Sequence, residues 1–97
     1  MSKETINLFE ALSLLESSEE AKRFLMDLCT PAELRAFAER WYVCQLLSKK
    51  VFSYREIREL SKASLTTIGR VARFLNEESY GGYRNLLEKI QKKEETK

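Results

Sequence analysis

The pattern Ser/Thr-x-x-Glu stands three times at the head of an apolar run, at Ser17 and Glu20, Thr30 and Glu33, and Ser53 and Glu56. Each fits a capping box, in which the hydroxyl accepts from the backbone amide three residues on and the carboxylate reaches back to the amide of the cap residue. Pro31, directly after Thr30, suits the first helical position, where the N–H it lacks would have no intrahelical acceptor. Three helix starts near residues 18, 31 and 54 follow. With one proline, three glycines and apolar residues recurring at intervals of three and four, the chain reads as all-α.

Helices are expected at about 3–16, 18–29, 31–49, 54–60, 64–76 and 83–93, with Gly81-Gly82 breaking the chain before the last and a frayed polar tail, QKKEETK, after it. The 97 residues are expected to form a single domain: residues 1–52 dimerisation helices, 53–76 a reading pair and 83–93 a C-terminal helix. The dimer expectation comes from apolar excess. In 31–49, Leu34, Phe37, Ala38, Trp41 and Cys44 share one side while Val43, Leu46 and Leu47 widen the stripe; Ile6, Phe9 and Leu12 stand beside Leu8 and Leu15 in the first helix. A helix apolar over most of its circumference must be covered over most of it. In so small a chain the cover expected is a second copy, giving an intertwined homodimer, with a compact monomeric bundle as the competing arrangement.

Several function classes are excluded early. There is no histidine, and Cys29 and Cys44 stand 15 positions apart without a CxxC, so neither a zinc-type ligand set nor histidine acid/base catalysis is expected. Both thiols sit among apolar residues and read as buried and reduced. No convergent nucleophile and base can be assembled, so the chain is not read as an enzyme and no cofactor is expected. No signal peptide or membrane span is visible, and a cytoplasmic protein is expected.

The net charge of +2 is unevenly divided. Residues 1–30 carry three basic and six acidic side chains, whereas 53–76 carry Arg55, Arg58, Lys62, Arg70 and Arg73 against Glu56 and Glu59. In that basic stretch a short helix anchored by Ile57 and Leu60 is followed by a break at Ser61-Lys62-Ala63. A second helix follows, capped at Ser64 and anchored by Leu65, Ile68, Val71, Ala72 and Leu75. Two short helices with so brief a connection form a helix-turn-helix, whose second helix enters the major groove of DNA. Ser64, Thr66, Thr67, Arg70 and Arg73 then face away from the core. Hydroxyls can bond base edges or phosphate, a threonine methyl can touch a thymine methyl, and arginine can bond guanine bidentately. Arg55 suits a guanine edge, and Arg58 and Lys62 suit phosphates. Two short helices with basic residues also occur in bundles that bind no DNA.

From about Cys29 to Arg73 the chain resembles the Trp repressor family without a gap. The resemblance is carried by TPAE at 30–33, a helix with Arg40, REI at 55–57, and TIGR at 67–70 where the family has a Thr-Ile-Thr-Arg run. TPAELRAFAERW and YREIRELSKASLTTIGRVARFLN…GGY resemble its YerC/YecD-type branch more than the tryptophan-responsive repressor. The resemblance implies an intertwined six-helix homodimer whose fourth and fifth helices read double-stranded DNA. It also implies that Tyr54, Arg55, Arg58, Lys62, Ser64, Leu65, Thr66 and Thr67 lie at the DNA. Gly69 stands where the family has a threonine that contributes to readout, which implies a different operator.

For an effector, the resemblance implies a tryptophan between the central and recognition helices, at the positions of Thr30, Arg40 and Arg70. Thr30 also reads as a cap, and both arginines as phosphate or carboxylate partners. Val71 replaces a family glycine and Phe74 a family serine, filling indole volume and removing a hydrogen-bonding group, so free tryptophan is not expected to be the effector. Two other functions remain open on the sequence. One is a repressor responding to a different small molecule, an acid held by Arg40 and Arg70; the other is a protein-docking module that keeps the helix-turn-helix shape.

Overall fold

The computed structural model describes residues 5–77 and 80–95, and its helix starts are set by the side chains that the sequence marks. Thr30 Oγ1 accepts from the Glu33 amide at 3.1 Å while the Thr30 amide donates to Glu33 Oε1 at 2.8 Å. Ser53 and Glu56 make the same reciprocal pair at 3.1 and 2.8 Å. Ser17 accepts from the Glu20 amide at 3.1 Å, but Glu20 Oε1 takes the amide of Glu16, one residue ahead of the cap. The result is six helices, with no strand among the described residues: α1 (Leu8–Ser13), α2 (Ser18–Leu28), α3 (Pro31–Lys49), α4 (Tyr54–Ser61), α5 (Leu65–Asn76) and α6 (Gly82–Glu95).

The first helix is shorter than the expected 3–16. Asn7 Oδ1 accepts from the Glu10 amide at 2.8 Å, a cap that starts α1 at Leu8 and leaves residues 5–7 outside it. At the other end Leu14 and Leu15 donate back three residues, to Ala11 and Leu12, and the helix stops. Residues 3 and 4 of that expectation lie outside the described residues.

The fold divides into two compact units, residues 1–35 and 36–97. In the first, no described residue is buried, and Phe9, Leu14, Met26 and Leu28 are each more than half exposed. The second is built around a core of Val43, Cys44 and Leu46 from α3, Ile57 from α4, Ala63 from the α4–α5 connection, and Ile68, Val71 and Leu75 from α5. Trp41, Leu47, Phe52, Tyr83 and Leu87 pack against it. Arg84 of α6 donates from Nε to the Leu75 carbonyl at 2.8 Å and from Nη2 to the Asn76 carbonyl at 3.0 Å. A cation thus satisfies carbonyls that the end of α5 leaves without an intrahelical donor.

Two expected anchors are not buried. Leu60 is 48% exposed and Leu65 52%, so α4 is seated by Ile57 alone and α5 by Ile68, Val71, Ala72 and Leu75. The thiols also differ. Cys44 lies in the core, where burial pushes its pKa from 9.0 up to about 11, whereas Cys29 is half-buried.

Two outcomes follow. Ser53→Ala removes the α4 cap acceptor and should lower stability by about 1 kcal/mol in urea unfolding, with an unchanged m-value. With an aromatic disulfide reagent at pH 8, Cys29 should react readily and Cys44 only on unfolding, because its thiol is sterically covered and held neutral; equal rates for the two would contradict the burial assigned to Cys44.

Candidate nucleic-acid interface

α4, the three residues Lys62-Ala63-Ser64 and α5 make one continuous basic segment whose shape is set by the connection. Ser61 Oγ donates to the Ile57 carbonyl at 2.7 Å and accepts from the Ala63 amide at 3.1 Å, so one hydroxyl closes α4 and turns the chain. Lys62 takes a left-handed conformation, φ 65°, with its amide on the Arg58 carbonyl at 2.9 Å. Ala63 is buried, 2% exposed, and only a small side chain brings the connection down onto the core. Ser64 then caps α5, accepting from the Thr67 amide at 3.1 Å. Neither the Ser61 bridge nor the buried Ala63 is evident from the sequence pattern, which shows only a break there.

Of the eleven residues that the sequence points to for DNA, Tyr54, Arg55, Arg58, Lys62, Ser64, Leu65, Thr66, Gly69, Arg70 and Arg73 are exposed and Thr67 is half-buried. The two threonines are not equivalent. Ser64 Oγ donates to Thr67 Oγ1 at 3.2 Å, tying Thr67 into the cap, while the exposed Thr66 hydroxyl has no partner among the described residues. Thr66 is therefore the freer of the two to bond a base edge. A β-carbon on Gly69 would meet nothing within 4 Å, so no packing among the described residues accounts for a glycine in mid-helix.

The arginines of α5 are organised by a residue that the sequence flags for another reason. The guanidinium carbon of Arg70 lies 4.6 Å from the centre of the Phe74 ring, and that of Arg73 5.5 Å. Both distances fall within reach of a cation–π attraction. The spacing of four between Arg70 and Phe74 is the legible signal for this contact.

Beside Phe74 lies an open groove of about 490 Å³, lined by Trp41, Arg70, Val71, Phe74, Tyr80, Gly82, Tyr83 and Leu86. Of the three effector candidates it contains Arg70. Arg40 does not line it, and its guanidinium sits 5.7 Å from the Phe37 ring. Thr30 belongs to the first unit, with its hydroxyl and amide both engaged with Glu33. Val71 is buried at 1% exposure. Val71 and Phe74 form part of the groove wall and leave its volume open, so size alone does not keep an indole out. The chemistry is more selective: among the described residues the lining offers one guanidinium and no carboxylate, serine or threonine to receive an ammonium group. Among the described residues there is no cluster of metal-ligating side chains, and no helix is long and apolar enough to cross a membrane.

Comparison with known proteins agrees with this geometry. Residues 3–91 match the family model described as Trp repressor protein. The chain is 36% identical over 94 residues to YerC, an uncharacterised protein of Bacillus subtilis strain 168, covering 95% of this chain and 86% of YerC. It also superposes on the crystal structure of a candidate Trp repressor from Staphylococcus aureus with a TM-score of 0.79 at 34% identity. That match covers 87% of this chain and 82% of the other.

The left-handed residue gives a direct check on the connection. A β-carbon in that conformation costs roughly 1–2 kcal/mol, so Lys62→Gly should hold or raise the urea midpoint. A marked loss of stability would mean that the Lys62 side chain, and not the turn, secures this segment.

Proposed function

The chain belongs to the Trp repressor protein family, and from that premise we propose that it is a sequence-specific DNA-binding regulator of transcription. It acts as a cytoplasmic homodimer, most simply as a repressor on a roughly palindromic operator. The observation that carries this reading is the α4–α5 segment. It presents five exposed cations, Arg55, Arg58, Lys62, Arg70 and Arg73, around a helix N-terminus, Ser64 to Thr67, that carries no charged side chain. Such an N-terminus can approach a base edge or phosphate closely, and a helix-turn-helix delivers it into the major groove. Arg58 and Lys62 serve phosphates, Arg55 a guanine edge, and Thr66 the readout. The dimer is supported by the first unit, whose exposed apolar side chains need a cover.

Tryptophan is not the effector on this reading. Its carboxylate could meet Arg70, but its ammonium group would then lie in a groove whose described lining residues offer a guanidinium and no anion. With no described anion to offset it, the like charge of Arg70 beside the ammonium group weakens such a site. One observation favours a second function: Tyr54, Leu60 and Leu65 are about half exposed on the same segment, and such side chains can anchor a protein partner.

The two functions separate in a salt titration. DNA binding through phosphate contacts should weaken at least a hundredfold between about 50 and 200 mM salt, and Thr66→Ala should change sequence preference more than affinity for random DNA. Protein docking through apolar anchors predicts no salt-dependent DNA binding at all. Free tryptophan at about 1 mM should leave the melting temperature within about 1 °C; a 10 µM site would raise it by several degrees.

A further inference from the structure

The contacts on Phe74 assign this ring a task distinct from lining the groove. α5 carries two cations, Arg70 and Arg73, and no carboxylate. No ion pair engages Arg70 among the described residues. The guanidinium carbons nevertheless stand 4.6 and 5.5 Å from one aromatic centre, and that ring is half-buried beside Trp41, Val71 and Tyr83. Long cationic side chains on an exposed helix face normally sample many rotamers, and that freedom is lost when they engage a phosphate. A ring that attracts both guanidiniums takes part of the loss in the unbound protein.

We infer that Phe74 is a positioning residue for DNA binding: it pre-sets Arg70 and Arg73 for phosphate contact without touching DNA itself. The inference rests on the DNA-binding function proposed above. A positioning residue differs from a contact residue in what it does to salt dependence. Removing the ring should lower affinity while the number of counterions released stays constant. Removing an arginine should lower the salt slope itself, by about 0.9 for each phosphate that is no longer neutralised.

The test is a fluorescence-anisotropy titration of one duplex over a range of salt. It uses the wild type, Phe74→Leu, Phe74→Met, Phe74→Tyr, the pair Arg70→Gln with Arg73→Gln, and Phe74→Leu in that pair. Melting curves identify the folded variants. Leu and Met keep apolar volume without a ring, so one of them serves if the other fails to fold. The expected result is about a fivefold loss of affinity for Leu or Met at unchanged slope. Phe74→Tyr should stay within about twofold of the wild type, and Phe74→Leu should have no further effect once both arginines are gone. Wild-type affinity in a folded ring-less variant overturns the inference, as does an equal loss in the arginine-free background or a reduced slope in Phe74→Leu. A wild type without salt-dependent binding instead overturns the DNA-binding function on which the inference rests.

Discussion

The seating of Ile57 and Ile68 against Val43, Cys44 and Leu46 is the contact on which the rest of the second unit depends. All five are buried, Ile57, Ile68, Val43 and Cys44 to 0% exposure. α4 has no other buried residue, so Ile57 alone keeps it from rotating about its own axis. The connection holds because Ala63 lies in the same core and the Ser61 hydroxyl bridges the end of α4 to it. With that seat fixed, Arg55, Arg58 and Lys62 are exposed on one side of the connection and Thr66, Arg70 and Arg73 on the other. The core sets the helices that carry these cations.

The far end of α5 is secured differently. Arg84 places its guanidinium on the Leu75 and Asn76 carbonyls, and Trp41 and Tyr83 stack at 6.4 Å between centroids, so α6 is joined to α5 by polar and to α3 by aromatic contacts. The groove bounded by Arg70, Phe74, Tyr83 and Leu86 is what this arrangement leaves open. An open groove next to the proposed reading helix gives a small molecule a route to influence it. Its described lining is one guanidinium among aromatic and aliphatic side chains and a glycine.

Much of this architecture is legible in the sequence, for an identifiable reason. Capping boxes are local: Thr30 with Glu33 and Ser53 with Glu56 form the bonds that their spacing promises whatever surrounds them. The Asn7 cap is equally local, but the apolar run through it hides it, and α1 is shorter than that run suggests. Burial is not local. Leu60 and Leu65 fit the apolar spacing of anchors, yet each is about half exposed, while Ile57, Ile68, Val71 and Leu75 enter the core shared with α3. The eleven residues expected at the DNA are exposed except Thr67, which the cap holds half-buried. Contacts between elements are beyond the reach of local patterns: nothing in the spacing pairs Arg84 with the end of α5, eight and nine residues away. The groove likewise cannot be sized from residue types.

The central claim is that the α4–α5 segment of a dimer reads a two-fold-related DNA site. Selection of bound duplexes from a random pool at fixed salt tests it most directly. The account predicts an enriched motif of two inverted half-sites centred about 34 Å apart, one turn of B-DNA, with the enrichment lost in Thr66→Ala. A pool that remains random after successive rounds, or a motif that survives Thr66→Ala unchanged, would contradict it.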